Sequence, residues 1–121
     1  MLEDKLEEKA KELGRFIGQS TEYQAVKRSS DDLNADREAV KLLQQMELIR
    51  QDAQAMIERG ENPTPEMEQL LDALLMQVQG NPIYQRAVAA QENFDKVMLK
   101  VNNWILDGIK KGSTSSIIML G

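Results

Sequence analysis

The sequence predicts an all-α fold: about five helices in an elongated antiparallel bundle, with the longest helix at the C-terminal end. Three observations carry that expectation. Leu, Met, Ala, Gln and Glu dominate, while aromatic residues make up only 4% of the 121, a composition that favours helices over sheets. Apolar residues recur at alternating spacings of three and four, the rhythm of one helix face. Two segments open with the same start signal, Thr64-Pro65 and Asn81-Pro82, a capping side chain followed by a proline in the first turn.

The first segment, Leu2 to Ile17, places Leu2, Leu6, Ala10, Leu13 and Ile17 on one stripe with charges between them, so it reads as an amphipathic helix. Gly14 and Gly18 weaken its end. Ser20 then caps a short second helix that turns Tyr23 and Val26 inward, and the polar run Ser29-Ser30-Asp31-Asp32 follows as a step. Asn34 is the expected cap of the third helix, which runs to Arg59 and stops at Gly60, a residue suited to a helix end. Its seam, Ala35, Ala39, Leu42, Met46, Ile49, Ala53 and Met56, has heptad spacing, and its three alanines predict close helix approach.

The fourth helix begins at Thr64-Pro65 and carries Met67, Leu70, Leu71, Leu74, Leu75 and Val78 as its buried stripe up to Gly80. The fifth opens at Asn81-Pro82 and runs to about Lys111. Its seam is Ile83, Ala87, Ala90, Phe94, Val97, Val101 and Trp104, widened by Met98, Ile105, Leu106 and Ile109. At 1.5 Å per residue such a helix is ~45 Å long, whereas a compact chain of this size has a radius of gyration of only ~14 Å. The helix should therefore overhang a lone globule and expose an apolar patch, which association with a second chain would cover. Val97, Val101, Trp104, Ile105 and Ile109 are the expected partner-binding residues, with help from the 35–56 seam, in a homodimer or larger oligomer.

Residues 1–112 are expected to form a single helical domain and 113–121 a flexible C-terminal tail. The tail joins a Ser/Thr run to Ile117-Ile118-Met119-Leu120, too short for a helix that stands alone. A sharper reading makes it a segment that docks on a partner.

Composition narrows the chemistry. The chain has neither His nor Cys, which removes the commonest general base, the thiol nucleophile and the soft metal ligands. No catalytic, cofactor-binding or metal-binding residue is expected. Glu7-Glu8 and Asp31-Asp32 lack the alternating oxygen spacing of a calcium loop. The net charge is -5, and the only cations near one another in the last third are Lys96, Lys100, Lys110 and Lys111, too thin a stripe for direct nucleic-acid binding. No apolar run approaches the roughly 20 residues of a membrane span. The absence of cysteine and of a secretory segment makes the cytoplasm the expected compartment.

One enzyme class survives as the alternative: a small-ligand-binding or chorismate-mutase-like bundle, which holds a dianion with Arg and Lys. It needs two or three cations aimed into the bundle, yet Arg15, Arg37, Arg50, Arg59 and Arg86 all sit off the apolar seams. A peripheral membrane role for the weakly basic C-terminal end would instead show as binding to anionic liposomes. Met46, Met56, Met67 and Met98 lie on the helix stripes and read as core filling.

Several of these signals recur together in one family. Ser20-Thr21-Glu22-Tyr23, Asn34-Ala35-Asp36 opening a long helix, Gly60 before a proline turn, Asn81-Pro82 and Gln91-Glu92-Asn93-Phe94 resemble, in order and spacing, the YlbF/YmcA family of small bacterial helical proteins over roughly Leu6 to Gly112. The resemblance implies a non-enzymatic cytoplasmic protein that self-associates and acts among regulators of competence, biofilm formation and sporulation. Some members join a complex that modulates mRNA processing by ribonuclease Y, so the implied partners include another small helical protein or a ribonuclease complex. Complex-forming members ligate iron–sulfur clusters through cysteines. This chain has none, so that cofactor is not carried over, and the chain looks more like a cysteine-free YheA-type branch.

Overall fold

The computed structural model describes residues 1–114, which form five helices: α1 (Leu2–Gly18), α2 (Thr21–Ala35), α3 (Arg37–Glu58), α4 (Pro65–Gln79) and α5 (Pro82–Ser113). No strand occurs among the described residues. The expected all-α class and helix number are observed. The chain gathers into two compact units: a terminal unit, Met1–Lys27 with Ala90–Gly121, and a central unit, Arg28–Ala89, so that α2 and α5 each contribute residues to both. The expected helical domain ended at Gly112; α5 continues one residue further, and the Ile117–Leu120 docking segment lies outside the described residues.

In the terminal unit, Ser20 makes the corner between α1 and α2. Its Oγ accepts from the Tyr23 backbone N–H at 3.1 Å and donates to the Ile17 carbonyl at 2.6 Å, so one hydroxyl serves the end of one helix and the start of the next. The Gln24 side-chain amide donates to the Gly18 carbonyl at 2.8 Å. Tyr23 then reaches Phe94 of α5, with ring centroids 5.3 Å apart and planes at 60°, a favoured tilted arrangement.

The central unit is built around a helical hairpin of α3 and α4. Leu42, Met46, Leu74 and Val78 form its buried core, with Leu43, Ile49, Leu71, Leu75 and Tyr84 packed around it. Each such burial is worth about 1.5–3 kcal/mol relative to an exposed side chain. The turn is locally encoded. Gly60 has φ +80°, the left-handed region that favours glycine. Its N–H donates to the Ile57 carbonyl at 3.0 Å, and the Glu61 N–H donates to Met56 at 2.8 Å, the paired bonds of a Schellman ending. Thr64 caps α4 as expected, its Oγ1 accepting from the Met67 N–H at 3.2 Å with Pro65 opening the helix.

Three expectations are corrected. The polar step at Ser29–Asp32 does not interrupt the chain; α2 runs through it to Ala35. The segment contains no Gly or Pro, and Ser30, Asp31 and Asp32 face solvent, where polar side chains do little to oppose a helix. The α3 cap is Asp36, not Asn34, and Ala35 closes α2 instead of opening the α3 seam. Asp36 Oδ2 accepts from the Ala39 N–H at 2.9 Å and from the Asn81 side-chain amide at 3.0 Å. Asn81 in turn caps α5, its Oδ1 accepting from Ile83 and Tyr84 at 2.8 and 3.2 Å. Finally, Leu70 is 53% exposed, because the six-residue stripe of α4 is wider than the single helix facing it can cover.

Candidate interaction surface

Helix α5 carries the residues of interest on one side. At 3.6 residues per turn, Val97, Val101, Trp104, Ile105 and Ile109 fall within an arc of roughly 140°, with Trp104 at one edge and Ile109 at the other. Burial divides this set. Val101 is 6% exposed and Val97 half-buried, so both pack within the unit, whereas Trp104 (65%), Ile105 (44%) and Ile109 (59%) stand open. A groove of about 580 Å³ lies along this open part. Leu2 and Leu6 of α1 form one wall, Ile105 and Ile109 the other, and Gly108 and Gly112 lie between the walls. A methyl group added at Gly108 would meet nothing within 4 Å, so the space over the glycine is open.

The α1 side of the surface is equally uncovered. Helix α1 has no buried residue, and Leu2, Leu6, Leu13 and Phe16 are all exposed. Its charges pair along the helix, Lys11 with Glu7 at 2.8 Å and Lys9 with Glu12 at 3.6 Å, which stiffens the polar side slightly and leaves the apolar side unchanged. Leu99 and Leu106 add a second exposed ridge on α5. Leu2 and Leu6 line the groove, and neither is among the partner-binding residues expected from the sequence. The discriminating signal was the charge density of α1, whose interleaved Glu and Lys leave a narrow stripe with no second apolar row to lock it down.

The charge distribution differs between units. The terminal unit holds nine Lys/Arg against nine Asp/Glu, and the central unit six against eleven. The whole net charge of -5 therefore resides in the central unit. A neutral, apolar surface meets no net repulsion from a second copy of itself, whereas an acidic unit does.

Chemistry of the dianion-binding kind has little to build on. Arg15, Arg37, Arg50, Arg59 and Arg86 are all exposed. A concavity in the central unit brings Arg86 and Ile83 together with Asp32, Ala35 and Asp36, where two carboxylates outnumber one guanidinium and would repel an anion. Among the described residues, no three carboxylates converge as a metal-binding group, and no helix is long and apolar enough to cross a membrane.

Comparison with known proteins agrees with the helical pattern. A UPF0342 protein of Desulfitobacterium hafniense is 28% identical over 102 residues, which cover 84% of this chain and 78% of that protein. A UPF0342 protein of Streptococcus mutans is 30% identical over 83 residues, covering 69% and 74%. The solved structure of a protein of unknown function (DUF964) from Bacillus stearothermophilus matches with a TM-score of 0.66 at 19% identity, over 92% of this chain and 97% of that one, a likeness of fold. The family model described as "Control of competence regulator ComK, YlbF/YmcA" matches residues 6–110, and the chain belongs to that YlbF/YmcA family, which is linked to competence regulation.

Proposed function

We propose that this protein is a non-enzymatic regulatory or adaptor protein of the cytoplasm, acting through protein–protein contacts, and that its first partner is its own copy. The observation that carries the reading is the imbalance within the terminal unit. Among its described residues the buried apolar side chains are Ala90 and Val101, against exposed Leu2, Leu6, Leu13, Phe16, Leu99, Trp104, Ile105, Leu106 and Ile109. That ratio fits a unit whose core is completed by a second chain, and apolar surface of this extent on a small chain is characteristic of an interaction site. Trp104 is the natural anchor, since exposed tryptophans that become buried dominate interface energetics.

The regulatory part of the proposal rests on family membership: a small helical protein of a family linked to competence regulation acts by joining or withholding partners, among them another small helical protein or a ribonuclease complex. Trp104→Ala combined with Ile105→Asp removes the anchor and places a charge where a second copy would desolvate it. In light scattering the double variant should fall towards the 13.7 kDa mass of one chain while its helical circular dichroism is kept. An unchanged oligomeric mass in the folded variant sinks the surface. An affinity capture from the native lysate, with and without nuclease and with the same variant as control, then separates an adaptor from a self-contained oligomer.

A further inference from the structure

The central unit carries a second apolar surface. Between α3 and α4 runs a groove of about 260 Å³ lined by Gln45, Leu48, Ile49, Leu70 and Leu74. Leu74 belongs to the core beneath it, whereas Leu48 is 61% and Leu70 53% exposed, so two leucines from neighbouring helices flank an open channel. The helices are antiparallel, because Leu42 and Met46 cluster with Leu74 and Val78 while Ile49 and Ala53 share a hollow with Met67 and Leu71. Such a channel has the form that accepts the apolar side of another helix, anchored at spacings of three and four.

Charge selects the occupant. Helix α4 carries Glu66, Glu68 and Asp72 and no Lys or Arg. Asp52 lies one turn beyond Leu48, and Glu66 one turn before Leu70, so the antiparallel pairing puts both carboxylates towards the same end of the channel. Lys41 stands two turns before Leu48, towards the other end, and Arg50 is paired with Glu47 at 3.6 Å. The unit as a whole has eleven Asp/Glu against six Lys/Arg. A second copy of this face would bring the same excess of negative charge, and an acidic helix would be repelled. We infer that the α3–α4 channel docks a basic amphipathic helix of a different protein, its leucine-type residues seated on Leu48 and Leu70 and its cations set against Asp52 and Glu66. This site is separate from the self-association surface of the terminal unit and does not depend on it.

The test uses the full chain and a synthetic amphipathic leucine–lysine peptide of roughly 18 residues, long enough to form a helix on binding. Two control peptides accompany it, one with glutamate at every lysine and one with the lysine sequence scrambled to destroy the apolar face. Backbone amide shifts should move around Gln45, Leu48 and Leu70, and Leu48→Gln with Leu70→Gln should weaken binding by about tenfold or more. Trp104→Gln should leave binding unchanged, and both control peptides should bind at least about tenfold more weakly. Because Leu48 and Leu70 are exposed, the double variant is expected to keep the wild-type melting temperature, which is measured alongside. The inference is overturned if the peptide fails to bind, if the glutamate or scrambled peptide binds as well, if shifts centre on α1 and α5, or if the double variant loses oligomeric mass instead of peptide affinity.

Discussion

The central and terminal units are both built from amphipathic helices, yet they differ in what those helices cover. In the central unit α3 and α4 close on Leu42, Met46, Leu74 and Val78, a Schellman turn and a Thr64 cap fix the connection, and the surface is acidic. Among the described residues of the terminal unit the buried apolar side chains are Ala90 and Val101 and the exposed ones include Trp104 and Phe16, and the unit's net charge is zero. The difference separates two jobs that apolar residues can do. In one unit they pack on one another; in the other many of them stand open, as the proposed association with a second chain requires.

Core truncation gives the largest expected contrast. Leu74→Ala should destabilise the protein by about 2–5 kcal/mol, the range for buried leucines, read as a lowered denaturant midpoint. Leu6→Ala, on an exposed position of α1, should change the stability of the dilute chain by roughly 0.5 kcal/mol or less while still weakening the proposed self-association. Equal losses for the two would erase the distinction between units.

Next in size is Asp36→Ala, which removes the α3 cap and leaves the Asn81 amide without its acceptor. Its cost should be about 2 kcal/mol, against about 1 for Thr64→Ala, which removes a cap alone. A double-mutant cycle with Asn81→Ala should show a clear interaction term, and strict additivity would argue against the shared bond. Gly60→Ala should cost about 1 kcal/mol, because the left-handed conformation at φ +80° disfavours a Cβ; thermal melts read it directly.

The smallest stability effect belongs to the exposed ion pairs of α1. Lys11→Met breaks the pair with Glu7 and should move stability by no more than about 0.5 kcal/mol. Salt sharpens the comparison further. At about 1 M, where the Debye length is ~3 Å, peptide binding at the acidic α3–α4 channel should weaken, and the proposed self-association through the neutral unit should persist. Loss of both on the same salt titration would make the two surfaces electrostatically alike.

Legibility in the sequence followed the range of the interaction responsible. The start of α4 at Thr64-Pro65 and the stop at Gly60 are set by residues within one turn of the boundary, and both were readable. The α3 cap was not, because Asp36 outcompetes Asn34 through a bond to Asn81, 45 residues away in the chain. Spacing placed Leu70 and Leu71 on one stripe, but only the packed pair shows that Leu70 lies on its open edge. For the α5 surface, the sequence placed Val97, Val101, Trp104, Ile105 and Ile109 on one arc. It could not divide Val101, sealed within the unit, from Ile105 one turn on, since both have the same period. Leu48 lies off the α3 seam altogether, and only the packed pair shows that it flanks a groove with Leu70.

The bond between Asp36 and Asn81 also has a kinetic side. The first turns of α3 and α5 are capped by one carboxylate and one amide bonded to each other, so fraying of either weakens the cap of the other. Amide hydrogens in those two turns should exchange with solvent as one cooperative group, at one common opening free energy, although the sequence separates them by an entire helical hairpin.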